Sequence, residues 1–203
     1  VGLMDTRMGI GEQDVFEALL GSRTDVLVPE AWGGYFDAGD WDRRIHHVQA
    51  ARLWLDLLER FPEMFNRFEL SIPPTEIIGL GGEDIVLGED VPDLLHEVLW
   101  GMDLFRRLQL PDGGIRGGIE SGAHPNYGEH SWQESLPIMV YAPDVWSSYE
   151  YAAAAAQLTR SLEVFVPELG DVYRDSAINA LTYAEAHIDT VDLAGLGHRG
   201  HRL

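Results

Sequence analysis

Between Asp42 and Phe61 the apolar residues fall at Ile45, Val48, Ala51, Leu55 and Leu58, with Trp54, Leu57 and Phe61 beside them. Steps of three and four predict an amphipathic helix, the breadth of the stripe predicts packing on two sides, and Pro62 closes it. A second run, Leu95, Val98, Leu99, Met102, Phe105 and Leu108, opens from Pro92, a residue suited to a first helical turn, and stops at Pro111-Asp112-Gly113-Gly114. Ser147 to Glu150 reads as a capping box, with Ser147 as N-cap and Glu150 reaching back. The third helix follows, and its Ala152–Ala156 run lets a neighbour come close. After Pro167 a fourth helix is predicted from about Asp171 to Ile188, with Tyr173, Ala177, Leu181, Ala184 and Ile188 on one side. The short connection before it predicts an antiparallel hairpin of helices.

Elsewhere the pattern is weaker. Residues 1–31 read as a lead-in segment with a short helix around Glu12–Leu20 and the run Val26-Leu27-Val28, ended by Pro29. The connection from Pro62 to Val91 is far longer than usual, which predicts a functional loop, a small hairpin of Glu76–Leu80 with Asp84–Leu87, or both. Residues 115–146 form another long connection, rich in Gly and aromatics. Nothing alternates as a buried sheet should, so the fold class expected is all-α. Long and short connections in alternation suggest a toroid of helical hairpins whose long loops gather on one face, where a site would lie.

Composition removes several chemistries. The formal charge is −20, which repels a phosphate backbone and an anionic membrane surface, and points to neither as a partner. A neutral glycan is compatible. No apolar run reaches membrane-spanning length. Cysteine is absent, which excludes thiol nucleophiles, disulfides and thiolate zinc sites. Every basic side chain is Arg, which excludes lysine-based catalysis and a P-loop within these residues. The chain opens on Val1 and shows no secretion signal, so its first residues do not assign a compartment.

Carboxylates, histidines and hydroxyls remain, and they concentrate in one place. Gly33-Gly34-Tyr35-Phe36-Asp37-Ala38-Gly39-Asp40-Trp41-Asp42 holds three carboxylates, glycine hinges and three large rings. Glycines let the backbone double back, so Asp37 and Asp40 can face one volume and hold a water between them. Carboxylates that close raise one another's proton affinity, which makes a usable general base. Tyr35, Phe36 and Trp41 offer flat apolar faces of the sort a sugar packs on. The plainer alternative is that Asp40 or Asp42 caps the helix that follows.

Other signals carry less. Gly195-Leu196-Gly197-His198-Arg199-Gly200 fits a dinucleotide pattern but follows no strand. His96-Glu97 resembles half of a zinc-protease helix but has no second His in register. His46-His47 read as hydrogen-bonded structural histidines, and His124, Glu129 and His130 as a solvated loop rather than a metal site. A structural calcium ion is compatible with the Asp37/Asp40/Asp42 cluster, although the ligand spacing is not that of a calcium loop. No cofactor is required by any of these residues.

Taken in order, the segments resemble glycoside hydrolase family 9, the inverting cellulases with an (α/α)6 barrel. Gly33–Asp40 matches that family's Gly-Gly-aromatic-aromatic-Asp-Ala-Gly-Asp loop. Val91-Pro92-Asp93-Leu94-Leu95-His96-Glu97, Trp100-Gly101 and Gln109 through Gly114 match a second segment, and the Ala-rich Ser148–Arg160 a third. Order and spacing agree apart from an insertion after Ser71-Ile72-Pro73. The resemblance covers about residues 32–188 and implies that residues 32–203 are roughly the first half of such a barrel. It implies that Asp40 is the general base, that Asp37 positions the water, and that His130 and Trp132, within Glu129-His130-Ser131-Trp132, contact the sugar. Tyr35 and Trp41 join the sugar-binding set. The family's general acid is a Glu near the end of a complete domain, and no Glu here matches it, so little turnover is expected of this chain alone. Arg43-Arg44 are placed to pair with Asp42 or to reach an acidic sugar, so the substrate need not be cellulose. The resemblance further implies a secreted or periplasmic protein acting on a β-linked polysaccharide. The alternative is a non-catalytic helical module that binds glycan or a protein partner.

Overall fold

A computed structural model describes residues 4–9, 16–35, 41–43, 46–65, 70–72, 76–78, 84–87, 90–130, 133 and 135–190. Its elements run β1 (Met4–Gly9), α1 (Phe16–Ser22), β2 (Arg23–Leu27), β3 (Trp41–Arg43), α2 (His46–Arg60), α3 (Pro62–Phe65), β4 (Glu76–Ile78) and β5 (Asp84–Val86). They continue with α4 (Asp93–Arg107), β6 (Gly118–Ser121), β7 (Ile138–Ala142), α5 (Val145–Phe165) and α6 (Pro167–His187), and a 3-10 turn follows at Ile188–Thr190.

The four predicted helices are present, with shifted ends. On α2 the residues Val48, Ala51, Leu55 and Leu58 are buried, and the helix packs on both α4 and α5, as its broad stripe required. Leu57 and Phe61, on the flank of that stripe, face solvent instead. The third helix starts earlier than the Ser147 cap predicted. Asp144 is the N-cap: its Oδ1 accepts the Ser147 backbone N–H at 2.8 Å, and its Oδ2 accepts the Ser147 hydroxyl at 2.8 Å. A carboxylate there satisfies an orphan N–H and favours the positive helix end, so it displaces the serine box. The fourth helix begins at Pro167, where a missing N–H costs nothing. Its buried stripe is Tyr173, Ala177, Ala180 and Ala184, while Leu181 is exposed.

The hairpin of α5 and α6 is antiparallel. Tyr149 donates to Glu185, Tyr151 shares a hydrogen bond with Ser176, and Arg174 pairs with Glu163, so one number rises as the other falls. The main core lies among α2, α4, α5 and α6, with Leu55, Leu95, Leu99, Met102, Phe105, Tyr151, Leu158 and Tyr173 all fully buried.

The all-α expectation is corrected. A five-stranded sheet runs in the order β2-β1-β7-β6-β3, with β1 parallel to β7 and the other neighbours antiparallel. Its strands hid for separate reasons. Gly118–Ser121 is buried at every position, so it shows no alternation, and β3 has only three residues. Ile138–Ala142 is a continuous apolar run, which periodicity cannot tell from a piece of buried helix. The expected small hairpin does form, β4 against β5.

A second core cluster joins the sheet to the helices. Val28 and Ala31 meet Leu104 and Leu108 near the end of α4, together with Ile119 of β6 and Val140 of β7. The Asp112-Gly113-Gly114 turn then locks α4 onto α6. Gly113 has φ +95°, and a Cβ there would lie 2.3 Å from the Asn179 carbonyl oxygen. Gln109 Nε2 donates to the carbonyls of Gly113 (3.0 Å) and Ser176 (2.9 Å), and the Ser176 hydroxyl donates back to Gln109 Oε1 at 2.7 Å.

Candidate active site

The acidic stretch is approached from the N-terminal side by residues 28–35, and this approach is tied to α4 step by step. Arg107 donates from Nη1 to the Glu30 carbonyl and from Nη2 to the Trp32 carbonyl at 2.6 Å. Its guanidinium also stacks on the Trp32 ring, 3.8 Å from the centroid. The other side of that guanidinium is held by Asp103, whose carboxylate bridges Arg106 (2.6 Å) and Arg107 (2.8 Å) with all three side chains nearly buried. Further on, Trp100 Nε1 donates to the Gly34 carbonyl at 2.9 Å. Finally the Tyr35 hydroxyl donates to Glu97 Oε1 at 2.5 Å and lies 3.1 Å from the Glu97 carbonyl.

The partners on α4 therefore descend, 107, then 100, then 97, as the segment ascends from 30 to 35. In that order of contacts the segment runs antiparallel along one face of α4. Gly34 is needed where it stands: its φ is +71°, and a Cβ would come within 2.5 Å of the Leu104 side chain.

Tyr35 itself is packed between helices. Its ring meets the edges of His47 (centroids 5.3 Å apart) and Trp54 (6.3 Å), both on α2. Burial, then the Glu97 bond and charge, push the phenol well above its ordinary pKa, so it stays a proton donor. The ring was expected to lie against sugar; the structure places it between α2 and α4, half-buried.

Asp37 and Asp40 lie outside the described residues, as does Phe36. Beyond them the chain is described again as β3, whose backbone pairs Trp41 with Glu120, Asp42 with Ile119 and Arg43 with Gly118. The described residues on either side of the acidic stretch are thus held on α4, at Gly34 and Tyr35, and in the edge strand of the sheet, at Trp41 to Arg43. The side chains of Trp41, Asp42 and Arg43 are not described, and Arg44 and Trp132 lie outside the described residues. Behind β3, Glu120 is buried and accepts a hydrogen bond from the Tyr141 hydroxyl of β7, and Arg116 pairs with Asp5 of β1.

His130 is exposed on the loop between β6, the neighbour of β3 in the sheet, and β7, the strand beyond it. Its neighbour Glu129 organises that loop by accepting from the Ser135 hydroxyl at 2.6 Å and from Asn126. The Ser135 bond holds the Glu129 carboxyl below its ordinary pKa. His124 is also exposed, whereas His96 is buried within α4. Among the described residues no group of three or more His, Asp or Glu side chains could hold a metal ion. Among them, too, no helix is long and apolar enough to cross a membrane. A groove of about 250 Å³ between Leu58, Pro62, Val164 and Phe165 lies at the C-terminal ends of α2 and α5, away from these anchors.

Sequence reasoning had Glu97 and Trp100 only as parts of a motif and gave Arg107 no role. Their spacing, 97, 100, 104 and 107, was the available signal: one face of α4 that is not the apolar stripe.

No family model matches the chain. A curated relative, Endoglucanase C of Cellulomonas fimi, is 24% identical over 165 residues, which cover 76% of this chain and 14% of the relative. Among solved structures, the glycoside hydrolase family 9 endoglucanase J30 is 28% identical, with a TM-score of 0.64, over 76% of this chain and 27% of that one. A family 9 protein of Bacteroides ovatus aligns over 99% of this chain and 34% of its own, with a TM-score of 0.71 at 18% identity, a likeness of fold alone. The chain spans about a third or less of the length of these relatives. It is homologous to family 9 endoglucanases, and its mostly helical fold matches part of their barrel, with the sheet in addition.

Proposed function

We propose that this homologue of the family 9 endoglucanases forms part of the catalytic domain of an inverting glycoside hydrolase acting on a β-linked, glucan-type polysaccharide. Asp40 takes the proton of the attacking water, and Asp37 holds that water in line. Inversion needs a base on the face of the sugar opposite the leaving group, separated from the acid by roughly 6.5–9.5 Å so that water fits between. Trp41 and Trp132 supply faces for sugar rings, and His130 donates to a sugar hydroxyl. None of the glutamates in these residues is assigned as the proton donor. The protein works on saccharide outside the cytoplasm, secreted or periplasmic.

The observation that carries this reading is the anchoring of Trp32, Gly34 and Tyr35 on α4, in a chain homologous to family 9 endoglucanases. A turn that only capped α2 would not need its entry fixed by Arg107, Trp100 and Glu97 on another helix.

The test is reducing-sugar release from soluble β-glucan by the full-length protein and by its Asp40→Asn variant. Loss of a general base costs roughly 10²–10⁴-fold. Equal activity in the two proteins discards the assignment of Asp40.

A further inference from the structure

The face of α4 that meets the acidic stretch does something that neither the motif nor the homology assigns. We propose that Glu97 is a positioning residue: by accepting the Tyr35 hydroxyl it fixes the direction in which the chain enters the turn, two residues before Asp37. The inference rests on the reading of Asp37 and Asp40 given above.

Every degree of freedom of Tyr35 is met by a named neighbour. Its ring is bounded on one side by His47 and Trp54 of α2. On the other side α4 carries Gly101, where a Cβ would stand 3.0 Å from Tyr35 Cε2. Those contacts set the plane of the ring but leave it free to slide along its own axis. The hydroxyl contact with Glu97, 2.5 Å to Oε1, removes that last freedom. Glu97 is well placed for this because it is off the apolar stripe of α4: Leu94, Leu95, Val98, Leu99, Met102 and Phe105 are buried, whereas Glu97 is only half-buried. Its removal therefore leaves the core packed. Because Tyr35 stays protonated, the bond asks only for an oxygen acceptor at Glu97. A glutamine can supply one from its side chain, whereas an alanine leaves only the longer contact to the backbone carbonyl of residue 97, 3.1 Å from the hydroxyl.

The chemistry makes such a residue valuable. A base that must hold a water in line with a glycosidic carbon loses about 10²-fold for a displacement of 1 Å. Only Phe36 separates Tyr35 from Asp37 in the chain, so a slip of the ring shifts the point from which the acidic stretch departs.

The experiment compares Tyr35→Phe, Glu97→Ala and Glu97→Gln with wild type in the full-length protein. Three quantities are read: kcat and KM on a soluble β-glucan, Tm, and amide hydrogen exchange in the peptide spanning residues 36–40. Tyr35→Phe and Glu97→Ala are expected to lower kcat about 10–100-fold with KM within about threefold. Their Tm should stay within roughly 4 °C of wild type, and exchange in 36–40 should rise about tenfold while α4 is unaffected. Glu97→Gln should recover most of kcat and the slow exchange. Unchanged kcat and unchanged exchange in Tyr35→Phe and Glu97→Ala overturn the proposal. So does a loss in Glu97→Ala that Glu97→Gln does not restore. Asp40→Asn is run alongside: if it stays active the function reading fails, and the exchange measurement still decides the role of Glu97.

Discussion

The α5–α6 hairpin and the approach to the acidic turn are both fastened to the rest of the molecule, by opposite means. In the hairpin the fastening is burial. Tyr151, Ala154, Ala155, Leu158, Tyr173 and Ala180 are completely enclosed, and small side chains let the two helices close on each other. Residues 28–35 bury only Val28 and Ala31 and are otherwise held by side chains of α4 reaching backbone carbonyls and one hydroxyl. Apolar burial is non-directional and adds up over area, so it makes a region stable without aiming it. Hydrogen bonds contribute little net stability each, but they fix direction. The first region gives the domain its stability, and the second sets the direction of the segment that leads to residues 36–40.

Alkaline pH should have the largest effect on the buried hairpin. Tyr151 and Tyr173 are fully buried, and burial raises both hydroxyls well above the ordinary tyrosine value. The chain has no Lys or Cys, so near pH ~10 tyrosines dominate side-chain titration. Below about pH 10 both folded and unfolded states keep these protons, and stability is constant. Above it the unfolded chain loses protons that the folded hairpin retains, so stability falls, by up to ~1.4 kcal/mol per pH unit for each tyrosine. A urea midpoint followed from about pH 9 to 12 should drop, with tyrosinate absorbance rising together with loss of helix. Ionisation of all the tyrosines near pH 10 in a fully helical protein would break the comparison.

Leu158→Ala comes next. A fully buried leucine truncated in this core should cost roughly 3 kcal/mol, spread over the whole cooperative unit. Arg107→Ala should cost less, about 1–2 kcal/mol, since Asp103 keeps Arg106 as its partner. Its signature is local: faster hydrogen exchange in residues 28–35, with the hairpin unchanged. If Arg107→Ala lowered the global transition as much as Leu158→Ala, the distinction between stabilising and aiming would fail.

The same contrast explains what could be read in the sequence. The helices were legible because burial along a helix repeats every three to four residues, and Val48, Ala51, Leu55 and Leu58 show it without help from context. Their ends were less so, because a cap is a matter of one side chain, and Asp144 competed with Ser147. The sheet was hidden: β1 and β7 lie far apart in the chain, and β6 is buried on both faces. Of the candidate site, the stretch Gly33–Asp40 was visible as a motif. The anchors were not, because Glu30 with Arg107 and Tyr35 with Glu97 are pairs made by the fold across more than sixty residues of chain.

The central claim is that the turn aimed by α4 delivers water to a glycosidic carbon from the face opposite the leaving group. Proton NMR of a β-linked glucan oligosaccharide during the first minutes of hydrolysis by the full-length protein tests it directly. The account predicts that the new reducing end appears first as the α-anomer and only later mutarotates to the equilibrium mixture. Initial accumulation of the β-anomer would contradict it.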